Sequence, residues 1–185
     1  CVTLTFYLLS REYWKRFWIL LLASVLFYAW AGWFDGLIFI FVVALSWGAI
    51  ALANRNPSKK KFYVSLGITL MTAHLFVWKY AAWVASQIQI VFPSFFGGRA
   101  LEIPLPIGIS FFTLQGIAYM VDYSRGEIGF MKLPTYFLFK SFFAQLVAGP
   151  IVRARQLLPQ IEVLPRPTSE DMCVGVSLFA LGFFK

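Results

Sequence analysis

The sequence predicts an all-α, polytopic transmembrane protein, and three observations lead to this fold class. Hydrophobic residues make up 60% of the 185 residues and charged residues only 13%, which is more apolar surface than a soluble core needs. Several apolar stretches approach the roughly 20 residues that a helix needs to cross a bilayer, too many for one signal peptide. The basic residues, which give a net charge of +8, lie between these stretches, where they set topology and contact anionic lipid rather than nucleic acid.

The first half of the chain contains three predicted membrane-spanning helices. Spans over 18–33 and 36–53 are joined by a predicted tight turn over 32–35. Basic residues flank both spans on the same side, as in a helical hairpin. The third span covers 62–77 and can continue to about Val91, because a tilted helix can exceed the thickness of the hydrocarbon layer.

The second half of the chain departs from this regular alternation. Gly and Pro residues predict a loop over 93–106, followed by a fourth helix over 107–123. If the fifth apolar segment, 133–152, crossed the membrane, the arginines after it would lie opposite every earlier basic loop. The positive-inside bias therefore favours a broken or re-entrant segment that returns to its own side. A sixth helix is predicted after 168–171, whose residues are typical of a helix start.

Polar residues form one stripe on the fourth helix. At about 100° per residue, Gln115, Tyr119 and Asp122 share a face, which we expect to contact protein or an aqueous cavity. Asp122 lies three residues before Arg125. One interpretation of Asp122 is therefore an ion pair that anchors the helix end, and the other is the lining of a functional cavity.

The fifth segment combines small residues with a helix breaker. Ser141, Gln145 and Gly149 repeat every four residues, a spacing that lets two helices approach closely. Pro150 removes a backbone donor, so we expect the helix to break near Gly149. Such a break is typical of a substrate passage, where water or protein contacts the freed carbonyl groups. An ordinary kinked packing helix is the alternative.

His74 is the only histidine in the chain. No carboxylate, cysteine or second histidine lies near it in sequence, so we expect a packed histidine that donates across a helix contact rather than a catalytic group. Cys1 and Cys173 are widely separated and predict neither a disulfide nor a metal site. The sequence contains no phosphate-binding glycine motif, nucleophile elbow or metal signature.

Two motifs, in this order and at this separation, resemble the membrane-bound O-acyltransferase family. They are IPLPIGISFFTLQGIAYMVDYSRGE over 103–127 and FFAQLVAGPIVRARQLLPQI over 142–161. The resemblance is to the bacterial branch, which includes the alginate O-acetylation protein and the teichoic-acid D-alanyl transferase. An earlier stretch, RFWILLLASVLFYAWAGWF over 16–34, is similar to the second hydrophobic segment of that branch, so the resemblance covers nearly the whole chain.

The resemblance implies a multi-pass enzyme of the cytoplasmic (inner) membrane that is shaped around a funnel. Such an enzyme passes an acyl group from a cytoplasmic donor, acetyl-CoA or a carrier-protein thioester, to hydroxyls of an exported polysaccharide or cell-wall polymer. It binds no cofactor, and a partner protein outside the membrane often completes the transfer.

The position of the family's catalytic histidine bears on how complete this chain is. In the family that histidine lies in a hydrophobic stretch well downstream of the second motif, so the resemblance implies that it follows beyond Lys185. Residues 1–185 are then the N-terminal part of one membrane-embedded domain. They are expected to contain no catalytic residue and to be inactive alone.

The resemblance also assigns roles to residues within the two motifs. Pro106, Gly108, Phe111 and Arg125 fall on the first motif. The residues expected to line the funnel or substrate passage are Ser110, Gln115, Tyr119, Asp122, Gln145, Gly149, Pro150 and Arg153. Arg153 and Arg155 are expected to meet an anionic or thioester-linked donor, because guanidinium groups suit phosphate recognition. The alternative is that both arginines only set membrane topology.

Two further functions fit the same features. A fragment of a transporter or flippase would also contain broken helices and buried polar stripes. A non-catalytic membrane scaffold requires only that no catalytic histidine follows.

Overall fold

The protein is described by a computed structural model that covers residues 2–10, 12–91, 105–106, 108–142, 152–164 and 167–184. Every regular element within these ranges is helical, which confirms the predicted all-α fold. The helices are α1 (Val2–Leu9), α2 (Tyr13–Ala31), α3 (Trp33–Arg55), α4 (Lys60–Val91), α5 (Ile109–Arg125), α6 (Leu133–Ser141), α7 (Ala154–Val163) and α8 (Ser169–Phe183).

The connection between α2 and α3 is shorter than the predicted turn over 32–35. Gly32 alone separates the two helices, with φ 146°, and Asp35 already lies in the first turn of α3. Glycine tolerates this backbone conformation, so a single residue is enough to connect the two helices. The ring of Tyr28 stacks on that of Phe39 at 4.2 Å between centroids and joins the two helices beside the turn.

Helix α4 is the longest described helix, with 32 residues. It confirms that the third predicted span continues to Val91. At about 1.5 Å per residue the helix is roughly 48 Å long, which exceeds a hydrocarbon layer of about 30 Å. The short 3₁₀ turn Pro57–Lys59 connects α4 to α3 and carries part of the basic cluster.

Helices α3, α4 and α5 pack against one another and form the centre of the fold. Gly67 permits their close approach, because a Cβ atom at this position would lie 2.6 Å from Ala49 Cβ and 2.9 Å from Met120 Sδ. The largest side chains buried in this core and in its contacts with α2 and α6 are Phe17, Phe39, Phe112, Tyr119, Tyr136 and Phe139.

The outer surfaces of the long helices are apolar. Two helical stretches in the described ranges, Trp33–Arg55 and Pro57–Val91, are long and apolar enough to cross a membrane. Large hydrophobic side chains on both point outward, including Phe41, Phe76 and Trp83, each at least 54% exposed. A soluble monomer rarely exposes so much contiguous apolar surface, whereas lipid covers it at no cost. The structure therefore supports a membrane location.

Helix α6 ends earlier than the predicted break near Gly149. Its last residue is Ser141, and Phe142, with φ −55° and ψ 104°, takes the backbone out of the helical conformation. The described part of the fifth segment is thus a nine-residue helix and not a continuous helix to residue 149. Residues 143–151, which include the predicted breaker Pro150, lie outside the described residues.

Arg16, one of the basic residues before the first predicted span, does more than set membrane topology. Instead of serving only as an exposed topology signal, it is 5% exposed and ties two distant segments together. Its guanidinium donates to the carbonyl of Ser10 at 3.0 Å and to that of Leu164, after α7, at 2.7 Å. Leu164 has φ 41°, so this contact stabilises the left-handed residue that ends α7.

The predicted helix start after 168–171 is confirmed. Thr168 caps α8, accepting a hydrogen bond from the Asp171 backbone while the Asp171 carboxylate accepts from the Thr168 backbone. This reciprocal capping box satisfies two backbone donors that the helix cannot pair internally. The helix itself is exposed on almost all sides and presents apolar side chains such as Leu178 and Phe179.

Candidate functional site

The predicted polar stripe of α5 faces the protein interior. Gln115 and Tyr119 are each 1% exposed and Asp122 is 4% exposed. The side-chain amide of Gln115 donates to the carbonyl of Phe139 on α6 at 3.4 Å. The hydroxyl of Tyr119 accepts from the backbone of Met131 at 3.1 Å, so it fixes the segment between α5 and α6. The stripe therefore holds α6 and its preceding loop against α5.

The predicted ion pair between Asp122 and Arg125 is wrong. Arg125 is exposed and lies 4.0 Å from the carboxylate of Glu127 instead. Asp122 points inward on the buried face of α5, and its Oδ2 atom is buried without a hydrogen-bond partner. A buried polar atom without a partner is unfavourable, typically by about 1–3 kcal/mol. The alternative interpretation of Asp122, the lining of a cavity, stays a prediction.

The predicted donor-side arginines lie at the start of α7, next to the end of α5. Arg153 is exposed and precedes the helix, where its carbonyl accepts from the backbone of Gln156. Arg155 lies 3.7 Å from Glu127, which is also the partner of Arg125. Because exposed ion pairs of this kind contribute little, typically below about 1 kcal/mol, they leave the guanidinium groups available to a ligand.

The basic turn between α3 and α4 lies at this same end of the helices. The amino group of Lys60 lies 4.6 Å above the ring of Tyr123, near the end of α5. The hydroxyl of Tyr123 donates to the side chain of Asn54, near the end of α3, at 3.3 Å. The basic residues gathered at this end are Arg55, Lys59, Lys60, Lys61, Arg125, Arg153 and Arg155, and we call it the basic end.

Among the described residues, the predicted lining residue Ser110 lies away from the basic end. Ser110 is partly buried in the first turn of α5, twelve residues and roughly 18 Å along the helix from Asp122. Pro106 is buried, and Gly108 precedes α5 in the left-handed conformation, with φ 75°. Gln145, Gly149 and Pro150 lie outside the described residues.

The predicted hydrogen bond of His74 across a helix contact is wrong. Its Nε2 atom accepts from Nε1 of Trp78 at 3.0 Å, one turn further along the same helix, and its Nδ1 atom is buried without a partner. The ring does pack against Phe41 of α3, with 5.4 Å between ring centroids. The packing role predicted for this histidine is therefore confirmed, but the partner of its hydrogen bond is local.

Two buried polar contacts between helices were not predicted from the sequence. Lys140, 1% exposed, lies inside α6 and contacts α5. The available signal was a lysine within an apolar segment, which normally indicates a functional or paired group. The hydroxyl of Tyr136 donates to Ser46 Oγ at 2.7 Å, a contact between α6 and α3 that no local spacing could predict.

Metal ligands are not clustered in the described ranges. No group of three or more histidine, cysteine, aspartate or glutamate side chains in them could hold a metal ion.

Curated proteins match the chain over most of its length. A peptidoglycan O-acetyltransferase of Helicobacter pylori is 30% identical, and the match covers 90% of this chain and 37% of the relative. A probable alginate O-acetylase of Pseudomonas aeruginosa is 31% identical, with 100% of this chain and 36% of the relative covered. The chain is a homologue of the membrane-bound O-acyltransferases. The resemblance of its two motifs is thereby confirmed.

This membrane-bound O-acyltransferase homologue spans little more than a third of the length of the relatives it matches. The corresponding protein of Azotobacter vinelandii, also a probable alginate O-acetylase, is 30% identical over 90% of this chain and 34% of its own length. No protein-family model and no solved structure matches the chain.

The resemblance implies a catalytic histidine beyond Lys185, and the single histidine of the 185 residues, His74, lies on neither motif. Lys185 itself lies outside the described residues, and the described part of the chain ends one residue after α8, at Phe184. The position of that histidine therefore stays a prediction.

Proposed function

We propose that the whole protein is a membrane-bound O-acyltransferase that moves an acyl group, most simply acetyl, to hydroxyls of an exported polysaccharide or cell-wall polymer. The observation that carries this proposal is the match of nearly the whole chain to several relatives named as O-acetyltransferases or O-acetylases. The buried polar face of α5 and the basic end support it. The enzyme would be a multi-pass protein of the cytoplasmic membrane.

The reaction exchanges a thioester for an oxygen ester. The acceptor hydroxyl attacks the acyl carbon, the C–S bond breaks as the C–O bond forms, and the hydroxyl proton passes to a general base. A hydroxyl is a weak nucleophile at its own pKa, so a base is required. We assign no catalytic base within this chain, since His74 is held by Trp78 on α4 and lies on neither motif. The activity therefore belongs to the whole protein and not to these 185 residues alone.

The donor, acetyl-CoA or a carrier-protein thioester, would approach the basic end as a substrate. Arg153 and Arg155 would contact its phosphate groups, for which guanidinium groups are well suited. The neighbouring Arg125 adds positive potential, and Glu127 is the only carboxylate paired with these arginines in the described part of the chain. A net positive surface of this kind attracts an anionic donor.

The funnel wall would continue from the basic end into the membrane. We assign to it the motif residues Ser110, Gln115, Tyr119, Asp122, Gln145, Gly149, Pro150 and Arg153. The unpaired carboxylate oxygen of Asp122 supports this assignment, because a buried polar atom without a protein partner suits contact with water or substrate. The acceptor polymer, with an extracytoplasmic partner protein, would meet the acyl group at the far side.

A genetic test compares the O-acetyl content of exported polymers in a strain that lacks the gene and in the complemented strain. We expect deletion to remove one class of O-acetyl ester and the whole protein to restore it. The double substitution Arg153→Ala and Arg155→Ala should restore roughly tenfold less, equivalent to about 1.4 kcal/mol of lost donor binding.

The matched control is Lys15→Ala, which removes another exposed cation with an exposed ion-pair partner, Glu12, in the α2 region. It should restore O-acetylation fully. Unchanged O-acetyl content after deletion of the gene would contradict the proposed function, whereas equal loss in the control and the double variant would contradict only the donor-side role.

A further inference from the structure

Lys140 occupies an unusual position at the contact between α5 and α6. Its side chain is 1% exposed, and its amino group donates to the backbone carbonyl of Phe112. The same amino group lies 6.0 Å from the centroid of the Phe112 ring. None of the ion pairs in the described ranges includes it. A lysine amino group carries three N–H donors. Among the described residues only the Phe112 carbonyl accepts from it, so two donors have no acceptor within the described ranges.

The opposite helix leaves space for this amino group. A Cβ atom at Gly116, one turn after Phe112, would lie 2.9 Å from Lys140 Nζ and 2.9 Å from Met71 Cε. Those distances are shorter than van der Waals contact, so any larger residue would displace the lysine or Met71. The absence of a side chain at Gly116 is therefore what lets the amino group approach the backbone of α5.

Three buried polar atoms at the same contact lack partners. They are Thr113 Oγ1, Gln115 Oε1 and Ser141 Oγ, all on residues at most 1% exposed. Thr113 lies three residues before Gly116 and so shares the face of α5 that Lys140 approaches. The Gln115 amide nitrogen donates to the carbonyl of Phe139, the residue before Lys140, and Ser141 is the residue after Lys140. Native proteins leave few buried polar atoms unpaired, so such a concentration indicates a ligand.

The chemistry of this cluster selects an oxygen acceptor. The Lys140 amino group and the hydroxyls of Thr113 and Ser141 can all donate, whereas only the Gln115 amide oxygen is restricted to accepting. A buried amino group also favours a partner that bears negative charge or a strong dipole. We propose that this cluster binds the oxygen of a short acyl group, either the thioester carbonyl of the donor or a free carboxylate such as acetate.

The donor part of this inference rests on the proposed function, and the acetate part does not. During acyl transfer the carbonyl oxygen gains negative charge, which donors aimed at it stabilise. Placed there, Lys140, Thr113 and Ser141 would hold the acyl group while the acceptor hydroxyl attacks. Acetate, the carboxylate form of the same group, is a probe that requires no turnover.

The experiment measures the thermal unfolding of the whole protein in detergent as sodium acetate is added, with sodium chloride at equal ionic strength as reference. A ligand that binds only the folded state raises the unfolding temperature in a saturable way, here by a few degrees. We expect this rise with the wild type and with the control Lys132→Met, an exposed lysine just before α6. We expect no rise with Lys140→Met.

A second pair of variants decides the question if Lys140→Met does not fold. Thr113→Val and Ser141→Ala keep the side-chain volume nearly unchanged and should each shift the acetate midpoint to at least about threefold higher concentration. The inference is overturned by a wild type that responds equally to acetate and chloride, or by cluster variants that respond as the wild type does. In a donor-dependent transfer assay, these variants should raise the KM for the acetyl donor. If these variants shift the acetate midpoint but do not raise this KM, the donor role is contradicted and the acetate-binding site stands.

Discussion

Single buried polar side chains join helices that are far apart in sequence. Ser46 Oγ donates within α3 to the carbonyl of Val42 at 2.6 Å and accepts from the hydroxyl of Tyr136 on α6 at 2.7 Å. Both residues are fully buried. In an apolar environment such a bond has no competition from water, so it fixes the position of α6 against α3.

Removal of the Tyr136 hydroxyl tests this contact. Tyr136→Phe keeps the ring and its contact with Tyr119, and Ser46 keeps its backbone acceptor, so we expect a loss of only about 0.5–1.5 kcal/mol of unfolding free energy. The measurement is reversible unfolding in mixed micelles. A double-mutant cycle with Ser46→Ala should show coupling of similar size. Additive effects of the two substitutions would contradict the contact.

The residue scale also shows where sequence spacing misleads. Asp122 and Arg125 have the spacing of a helical ion pair, yet one lies on the buried face of α5 and the other is exposed. Three residues correspond to about 300° around the helix, so the curvature of the protein surface decides whether such a pair meets. Burial depends on where α6 packs, and no local pattern contains that information.

At the scale of elements, glycines control how closely the long helices pack. Gly67 of α4 lies against Ala49 of α3 and Met120 of α5, with no room for a methyl group. Gly48 of α3 is a contrasting case, because a Cβ atom there would have no neighbour within 4 Å. A substitution at Gly67 therefore tests helix packing, whereas a substitution at Gly48 tests intrinsic helix propensity.

Substitution of each glycine by alanine should give opposite results. Gly67→Ala forces Ala49 or Met120 to move and should destabilise the protein by about 1–3 kcal/mol. Gly48→Ala removes backbone freedom without a clash and should stabilise α3 by up to about 1 kcal/mol. Unfolding free energies in mixed micelles provide the comparison. Equal effects of the two substitutions would show that α3 and α4 do not approach closely at Gly67.

Apolar periodicity and length predicted which segments form helices better than they predicted where those helices end. The extension of α4 to Val91 and the capped start of α8 followed from local signals, namely an apolar run and a capping sequence. The end of α6 at Ser141 did not, because the residues after it continue the apolar run. The Arg16 contact with Leu164 joins residues 148 positions apart, a separation that no local pattern in the sequence reports.

At the scale of the whole molecule, charge and apolar surface divide into distinct regions. The basic residues of the α3–α4 turn, the end of α5 and the start of α7 meet at the basic end. The long outer faces of α3 and α4 are apolar. A membrane protein with this distribution would face a negatively charged leaflet with its basic end, as the positive-inside rule describes. This arrangement fits the proposed enzyme, in which an anionic donor would approach from the cytoplasmic side.

The most direct test of acyl transfer uses membrane vesicles that contain the whole protein, the proposed extracytoplasmic partner and a hydroxyl-bearing polymer. A radiolabelled acetyl thioester is added on the side of the basic end, and label in the polymer is measured before and after mild alkali, which cleaves oxygen esters. We predict donor-dependent, alkali-labile label in the polymer that is absent from vesicles without the protein. Equal label in both vesicle preparations would contradict the assignment as an O-acyltransferase.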